Sequence, residues 1–256
     1  MKLGLAVAAL LGSALIAQDK PAVPKDLQLF LLIGQSNMAG RGIVEAQDKE
    51  IIPGVFMLNK EIAWVPAVDP LHFDKPAIAG VGLGRTFAKT LLAANRSAAI
   101  GLIPAAFGGT SLDEWKPGDK LYVDAVKRAQ EAMKSGKLRG ILWHQGEADA
   151  GTEEHMTTYR TRFANLVAHL REDLHAPDIP VVVGELGEFQ KAKFTRQVNE
   201  QLALIPFVVP HSAFVSSAGL VDKGDGVHFG SASAREFGRR YALAFESLDV
   251  GWAVEK

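Results

Sequence analysis

Short runs of consecutive apolar residues alternate along this chain with longer segments whose apolar residues recur at helical spacing. The runs predict strands over residues 27–33, 55–58, 99–103, 140–143, 181–184 and 213–216. The helical spacing predicts helices over residues 83–94, 121–135, 152–174, 191–204 and 233–248. Strands followed by helices in this repeated order predict a parallel sheet with helices on both faces, and runs without alternation suit strands buried on both sides.

Two further patterns refine this picture. Ser233 is followed three residues later by Glu236, which is the capping-box spacing and predicts the start of the last helix. The longest irregular stretch, residues 39–79, is interrupted only by the short predicted strand over residues 55–58. Long loops on an α/β scaffold often shape substrate pockets, so we expect this stretch to border a binding site.

The first residues predict a secretory signal peptide over residues 1–17. Lys2 supplies a positive charge, residues 3–16 are almost all apolar or small, and Ala17 is a small residue at a cleavage point. The apolar run is shorter than the about 20 residues of an ordinary membrane span, although an uncleaved anchor is the alternative. We therefore expect a linker over residues 18–26, one domain over residues 27–256, and secretion to the periplasm or the medium without a membrane partner.

Composition narrows the classes of partner and chemistry. The hydrophobic fraction of 48% supports one sizeable core, and a net charge of −1 gives no reason to expect binding to nucleic acid. The chain has no cysteine, which excludes disulfides, thiolate nucleophiles and thiolate metal ligands. His144 and His155 follow no metal-ligand spacing, and the glycines at 80–84 lack the dinucleotide-binding spacing.

A serine and a later aspartate–histidine pair suggest nucleophilic catalysis. Ser36 follows the first predicted strand, where its hydroxyl would lie at the edge of the sheet that usually carries reactive groups. Asp225 and His228 stand three residues apart before the last helix, so the carboxylate can orient the imidazole toward a serine. Taken singly, Ser36 could be a helix cap and the pair a solvated surface contact.

Two other segments offer donors for an oxyanion. The glycines of the segment 107–111, Phe-Gly-Gly-Thr-Ser, let a backbone amide approach a ligand, although they also suit a tight turn. Gln145 follows another predicted strand and carries a neutral amide, but it could equally be a buried glutamine that bonds loop backbone. Glu147 could be a second acid or a structural carboxylate. Because parallel strands align their ends, all these segments should share one sheet edge.

The set of motifs resembles the SGNH (GDSL-like) hydrolases, and more narrowly the branch of acetylxylan esterases and sialate O-acetylesterase-like proteins. The matching stretches are Gly-Gln-Ser-Asn-Met-Ala-Gly at 34–40, residues 103–111 through Trp115, Trp-His-Gln-Gly-Glu at 143–147 and Asp-Gly-Val-His at 225–228. The resemblance implies a three-layer α/β/α, flavodoxin-like, doubly wound fold with a five-stranded parallel sheet. It also implies a serine esterase, without metal or cofactor, that acts on O-acetyl groups of carbohydrates.

Carried over by motif position, the resemblance makes Ser36 the nucleophile, His228 the base and Asp225 its partner. It implies an oxyanion hole formed by the Ser36 amide, Gly109 and the Gln145 side chain. Gly108 is the alternative to Gly109, and Glu147 is a candidate additional acid. The superfamily's usual asparagine in the third block is replaced by glutamine in this branch, as here.

Several functional alternatives stay open at this stage. A broad-specificity aryl or lipase-like esterase of the same superfamily would use the same residues, and a catalytically silent carbohydrate-binding protein could use the same fold. Trp64 and Trp115 could stack on a sugar, although ordinary packing is the favoured interpretation. The sequence does not identify the acetylated glycan, the acyl-chain preference or the oligomeric state.

Overall fold

The structure is a computed structural model, and it describes residues 24–248, 251 and 252. The predicted signal peptide over residues 1–17 and residues 18–23 of the predicted linker lie outside the described residues, so both stay predictions. Over the described part of the chain, no helix is both long and apolar enough to cross a membrane.

The sheet contains seven strands among the described residues. They are β1 (Leu27–Gly34), β2 (Val55–Leu58), β3 (Trp64–Pro66), β4 (Ile100–Pro104), β5 (Gly136–His144), β6 (Val181–Gly184) and β7 (Ser212–Val215). Their order across the sheet is β3-β2-β4-β1-β5-β6-β7. All neighbours are parallel except β2 and β3, which are antiparallel.

Without β2 and β3, the remaining strands have the order β4-β1-β5-β6-β7. This is the flavodoxin order, because the first of these five strands in the chain, β1, lies between the second, β4, and the third, β5. This confirms the predicted doubly wound α/β/α fold. The five strands implied by the resemblance are too few, because β2, which the apolar pattern predicted, extends the parallel sheet and β3 adds an antiparallel edge. Residues 64–66 were expected to be irregular, since three residues with a proline carry too little pattern to indicate a strand.

Six α-helices cover the sheet in the described residues. They are α1 (Ser36–Ala39), α2 (Gly84–Ala94), α3 (Lys120–Met133), α4 (Glu153–Asp173), α5 (Thr195–Ala203) and α6 (Ser231–Glu246). Helices α2 and α6 pack on one face of the sheet, and α3, α4 and α5 pack on the other. Successive β1 side chains enter opposite cores, with Leu29 and Leu31 in one and Phe30 and Leu32 in the other.

Two predicted helix starts differ from the structure by more than one residue. Helix α6 begins at Ser231 rather than Ser233, and its N-cap is Gly230. The Ser233 hydroxyl instead accepts from the Val221 amide at 2.9 Å, while Glu236 pairs with arginines on its own helix. The capping-box prediction is therefore wrong. Helix α5 begins at Thr195, four residues later than predicted.

The loop between α1 and α2 is tied to α6 by a buried charged cluster. Arg235 of α6 donates to Asp48 at 2.9 and 2.6 Å, and Asp48 is 1% exposed. Burial alone would raise the pKa of Asp48, but these bonds to Arg235 lower it overall. Asp69 lies beside Asp48, and burial together with that neighbouring charge raises the pKa of Asp69 to about 7. The loop therefore encloses one carboxylate that is stable as an ion and one that favours its proton.

Helices α2 and α6 approach each other closely at Gly238. A Cβ on Gly238 would lie 2.2 Å from the Leu83 carbonyl oxygen. We expect Gly238→Ala to lower the free energy of unfolding by about 1–3 kcal/mol, although alanine normally gains about 1 kcal/mol over glycine inside a helix. Urea denaturation measures the change. Leu243→Ala, on the exposed side of the same helix, is the control, and a stabilised Gly238→Ala variant would contradict this account of the packing.

Asp69 gives a pH-dependent prediction. Its pKa is higher in the folded protein than the ordinary value of 3.8, so the folded state holds the proton more tightly than the unfolded state. The stability that this provides is complete below about pH 4 and is lost as pH rises through about 7. We expect the free energy of unfolding of Asp69→Asn, relative to that of the natural protein, to be higher at pH 8 than at pH 5 by more than about 1 kcal/mol. Urea denaturation at both pH values checks this, and a constant difference would contradict it.

Candidate active site

The structure brings Ser36, His228 and Asp225 into one hydrogen-bonded line. His228 Nε2 lies 3.1 Å from Ser36 Oγ, and His228 Nδ1 lies 2.8 Å from Asp225 Oδ2. Ser36 and His228 are 192 positions apart in the chain, so this contact is formed by the fold. The carboxylate favours the tautomer with a proton on Nδ1, which leaves Nε2 able to accept the serine proton.

The end of β1 is bonded to both neighbouring strands. The Phe107 amide donates to the Gly34 carbonyl at 3.0 Å, and the Gln35 amide donates to the His144 carbonyl at 2.9 Å. Gly34 has φ +130°, and a Cβ there would lie 2.1 Å from the His144 carbonyl oxygen. Only glycine permits this approach. The segments after β1, β4 and β5 therefore meet directly before Ser36.

Asp225 is held by its own loop. Its Oδ1 accepts from the backbone amides of Val227 at 2.9 Å and His228 at 2.8 Å, while Oδ2 faces the imidazole. Burial alone would raise the pKa of this carboxyl group, but the bonds from His228 and Val227 hold it well below its usual value. Asp225 therefore stays ionised and can stabilise an imidazolium at His228 throughout the neutral pH range.

The turn after β4 presents the amide of Gly109 between two anchored neighbours. The Gly108 amide donates to Asp74 Oδ2 at 2.8 Å, and the Thr110 carbonyl accepts from Gln145 Nε2 at 3.0 Å. Gly109 has φ +86°, and its amide makes no hydrogen bond within the described residues. A Cβ on Gly108 would lie 3.4 Å from Ser36 Cβ, so the turn packs against the serine. Of the two glycines, Gly109 has the available donor.

The predicted donor role of Gln145 does not fit this geometry. Its side chain is fully buried, and Nε2 donates both to the Thr110 carbonyl and to Asp149 Oδ2. Both amide protons are therefore in use, while Oε1 accepts from the Tyr159 hydroxyl at 3.1 Å. Gln145 holds the turn that carries Gly109, and the alternative interpretation as a buried glutamine that bonds backbone is the one observed.

Asp74 is itself fixed by a buried ion pair. Arg41 Nη2 lies 2.6 Å from Asp74 Oδ2, and both side chains are 1% exposed. Burial alone would raise the pKa of Asp74, but the bonds from Arg41 and the Gly108 amide lower it. The carboxylate thus stays charged and holds the Gly108 amide at a fixed place beside Ser36.

Glu147 lies beside Asn37 and not beside the His228 imidazole. Its Oε1 accepts from Asn37 Nδ2 at 2.6 Å and lies 3.5 Å from His144 Nε2. Burial alone would raise the pKa of Glu147, but His144 and Asn37 lower it. Within the described residues no hydrogen bond joins Glu147 to His228, so the geometry gives no support to Glu147 as an additional acid.

The two tryptophans considered for sugar stacking pack against the protein. Trp115 is 1% exposed and packs edge-on against Trp143, whereas Trp64 is half-buried and lies against Gly101 at the margin of the core. The exposed aromatic ring at the active edge is instead Phe107, which is 40% exposed. Lys75 Nζ lies 5.9 Å from the centre of that ring. Beside it a cavity of about 500 Å³ is lined by Phe107, Thr110, Asp113, Glu114, Asp119, Lys120, Leu121 and Asp124.

Comparison with known proteins places this chain in a family. The profile described as carbohydrate esterase, sialic acid-specific acetylesterase, matches residues 26–247. A probable carbohydrate esterase of Arabidopsis thaliana, At4g34215, is 32% identical over 260 residues, which covers 92% of this chain and 98% of that protein. The chain belongs to this family of carbohydrate esterases. It is therefore a carboxylic ester hydrolase, and the resemblance to SGNH carbohydrate esterases is confirmed.

Solved structures agree with the fold of this esterase. The X-ray structure of the same Arabidopsis protein superposes with a TM-score of 0.80 at 30% identity and covers 88% of this chain and 98% of its own. NanS gives a TM-score of 0.71 at 18% identity, with the same two coverages. A carbohydrate acetylesterase from Xanthomonas citri, XAC1771, gives 0.67 at 20% identity over 88% of this chain and 56% of its own. The last two likenesses show the fold alone.

Sequence reasoning missed several residues that shape the esterase's active edge. Asn37 stood inside a recognised motif, but its contacts depend on a loop far along the chain. Arg41 and Asp74 lie in the long irregular stretch, where no periodicity or motif marks them. Lys75 is an exposed lysine like many others, and only its place beside Phe107 distinguishes it. Over the described residues, no group of three or more His, Cys, Asp or Glu side chains is arranged to hold a metal ion.

The Arg41–Asp74 pair yields a prediction. Asp74→Asn leaves Arg41 buried without a counter-charge, so we expect the free energy of unfolding to fall by about 3–5 kcal/mol. We also expect kcat for acetate release to fall, because the turn that carries Gly109 loses its anchor. Thermal melting and acetate-release kinetics measure both. Glu131→Gln removes an exposed pair with Lys134 and is the control; equal behaviour of the two variants would refute the anchoring role.

Proposed function

We propose that this protein is a serine esterase that removes O-acetyl groups from carbohydrates through an acyl-serine intermediate. The observation that carries the proposal is the line from Ser36 Oγ through His228 to Asp225, with separations of 3.1 and 2.8 Å. Membership of the carbohydrate esterase family supports the substrate class. The line of three side chains supports a serine nucleophile in place of direct attack by water.

In the first step Ser36 Oγ attacks the acetyl carbonyl carbon while His228 Nε2 takes the serine proton. The carbonyl π bond opens, and its electron pair becomes the charge of a tetrahedral oxyanion. When the carbonyl re-forms, the bond to the sugar oxygen breaks, and His228 gives its proton to that oxygen. Asp225 stabilises the imidazolium that exists between these two transfers.

In the second step water attacks the acetyl-serine with His228 again as base. Collapse of the second tetrahedral intermediate releases acetic acid and returns the proton to Ser36. The donors for both oxyanions are the backbone amides of Ser36 and Gly109, which are free of other partners within the described residues. Backbone donors fixed in this way lower the barrier without reorganising during the reaction.

The surroundings of the turn that presents Gly109 bear on the choice of sugar. The exposed face of Phe107 offers a surface for a sugar ring, and the cavity beside it has room for further sugar units. The Lys75 ammonium lies near that ring, where it would attract the carboxylate of an acetylated sialic acid and gain nothing from neutral acetylxylan. The cavity beside that ring also carries Asp113, Glu114, Asp119 and Asp124, whose charges oppose this attraction, so the proposed class includes both the sialate and the acetylxylan type.

An acetate-release screen tests substrate choice. Acetylated sialic acid, acetylated xylo-oligosaccharides and p-nitrophenyl esters of acetate and octanoate would be compared at low and high salt. The proposal expects acetylated sugars to be preferred and octanoate to be poor. Better turnover of octanoate would favour the aryl or lipase-like alternative, and no turnover of any ester would favour a silent binding protein. We also propose secretion after removal of residues 1–17, which N-terminal sequencing of the exported protein tests.

The nucleophile gives the decisive prediction. We expect Ser36→Ala to lower acetate release by about 10⁴-fold or more while the thermal midpoint stays close to that of the natural protein. Asp225→Asn should lower it by up to about 10⁴-fold, because the imidazole loses its preferred tautomer. A fluorophosphonate probe should label Ser36 in the natural protein and leave Ser36→Ala unlabelled. Undiminished acetate release from folded Ser36→Ala would disprove the acyl-serine mechanism.

A further inference from the structure

The side chain of Asn37 bonds the backbone on both sides of His228. Asn37 Nδ2 donates to the Val227 carbonyl at 3.1 Å, and Asn37 Oδ1 accepts from the Phe229 amide at 3.1 Å. Asn37 is the residue after Ser36, and it is 6% exposed. The residue next to the nucleophile therefore holds the two neighbours of the imidazole that serves it.

Glu147 fixes the direction in which the Asn37 amide points. Its Oε1 accepts from Asn37 Nδ2 at 2.6 Å, and its side chain is 7% exposed. Both protons of Nδ2 are thus used, one by Glu147 and one by the Val227 carbonyl. The amide oxygen is left facing the Phe229 N–H, which requires an acceptor. Reversal of the Asn37 amide would place an oxygen against a carboxylate and a carbonyl.

Apart from Asn37, the loop that carries His228 is tied to the rest of the protein by few polar contacts and by the buried ring of Phe229, which packs against His144 and Phe237. Gly224 and Gly226 both have positive φ, at +104° and +69°, and Asp225 and Val227 are exposed. Most bonds of Asp222 and Asp225 stay inside the loop. Such bonds preserve its local shape, but they do not fix its distance from Ser36. Gln190 provides one outside contact, to the Val227 carbonyl.

We propose that Asn37, oriented by Glu147, is the positioning residue that holds the His228 imidazole at the Ser36 hydroxyl. This inference rests on the proposed function and goes beyond it. Because Ser36 and Asn37 are successive residues of α1, a displacement of α1 carries the histidine loop with it. The nucleophile and base then keep their separation. Glu147 acts through Asn37 and is not a second acid for His228.

The first test is Asn37→Ala. A displacement of about 1 Å in a catalytic group can cost about 10²-fold, so we expect kcat to fall about 100-fold with KM changed less than about threefold. The loss should be larger for an acetylated sugar than for p-nitrophenyl acetate, because p-nitrophenolate leaves without a proton from His228. A general loss of folded protein would lower the turnover of both substrates by the same factor.

Asn95→Ala is the matched control. Asn95 also bonds a distant backbone carbonyl, that of Trp252, but it lies at the other end of α2, before β4, away from the active edge. We expect this variant to lower the thermal midpoint without a selective loss of kcat. If Asn37→Ala loses no more kcat than Asn95→Ala at equal folded fraction, the positioning role is refuted.

Glu147→Gln separates a positioning role from an acid role. Glutamine keeps an oxygen that can accept from Asn37 Nδ2, so we expect a loss below about tenfold, whereas Glu147→Ala should approach the loss of Asn37→Ala. If Glu147 were an acid for His228, Glu147→Gln would instead resemble Asp225→Asn. That outcome would overturn the assignment.

Separate variants control for a failure of folding and for a failure of the proposed mechanism. Should Asn37→Ala fail to fold, Asn37→Asp keeps the volume and the acceptor for Phe229 but loses the donor to Val227 and Glu147. The same kcat loss and leaving-group dependence are expected from it. Failure of the proposed function would appear as acetate release by Ser36→Ala. Failure of this inference alone would leave Ser36→Ala inactive and the folded Asn37 variant nearly as active as the Asn95 control.

Discussion

The whole active edge depends on how the end of β1 is bonded to its two neighbours. The amide of Phe107 and the carbonyl of His144 meet the backbone at Gly34 and Gln35, and the absence of a side chain at Gly34 allows this approach. Three chain segments that are far apart in sequence are thereby fixed within one or two residues of Ser36. A shift of one residue in either strand pair would separate the serine from the donors of its oxyanion.

Few side chains take part in the proposed chemistry, and more of them hold backbone in place. Asp74 and Gln145 each anchor one side of the turn that presents Gly109, and Asn37 holds the loop that presents His228. All three are polar and buried or half-buried, so their bonds are protected from competition with water. In the proposed mechanism, the reacting atoms are therefore positioned by groups that make no hydrogen bond to Ser36 Oγ or to the His228 ring.

The fold class could be predicted because it depends on local signals, and signals of the same kind mark the three residues to which we assign the proposed chemistry. Apolar runs mark β1, β4 and β6, and short motifs mark Ser36, Asp225 and His228. The rest depends on tertiary contacts. Strand β3 exists because Trp64 and its neighbours pair with β2, and Gln145 loses its donor role because Thr110 and Asp149 take both of its protons. No pattern within residues 39–79 indicates that Arg41 and Asp74 meet.

The first strand and the last helix both border the catalytic line, which has a consequence for biosynthesis. Ser36 follows the first strand of the sheet, whereas His228 precedes α6, the last of the described helices. In the proposed mechanism, the nucleophile emerges early during synthesis, but its base would reach its place only after α6 has emerged and packed against α2. A nascent or C-terminally truncated chain would therefore hold its serine without a partner. Under the proposed mechanism, esterase activity therefore requires the completed domain, and a chain still in synthesis would not hydrolyse esters.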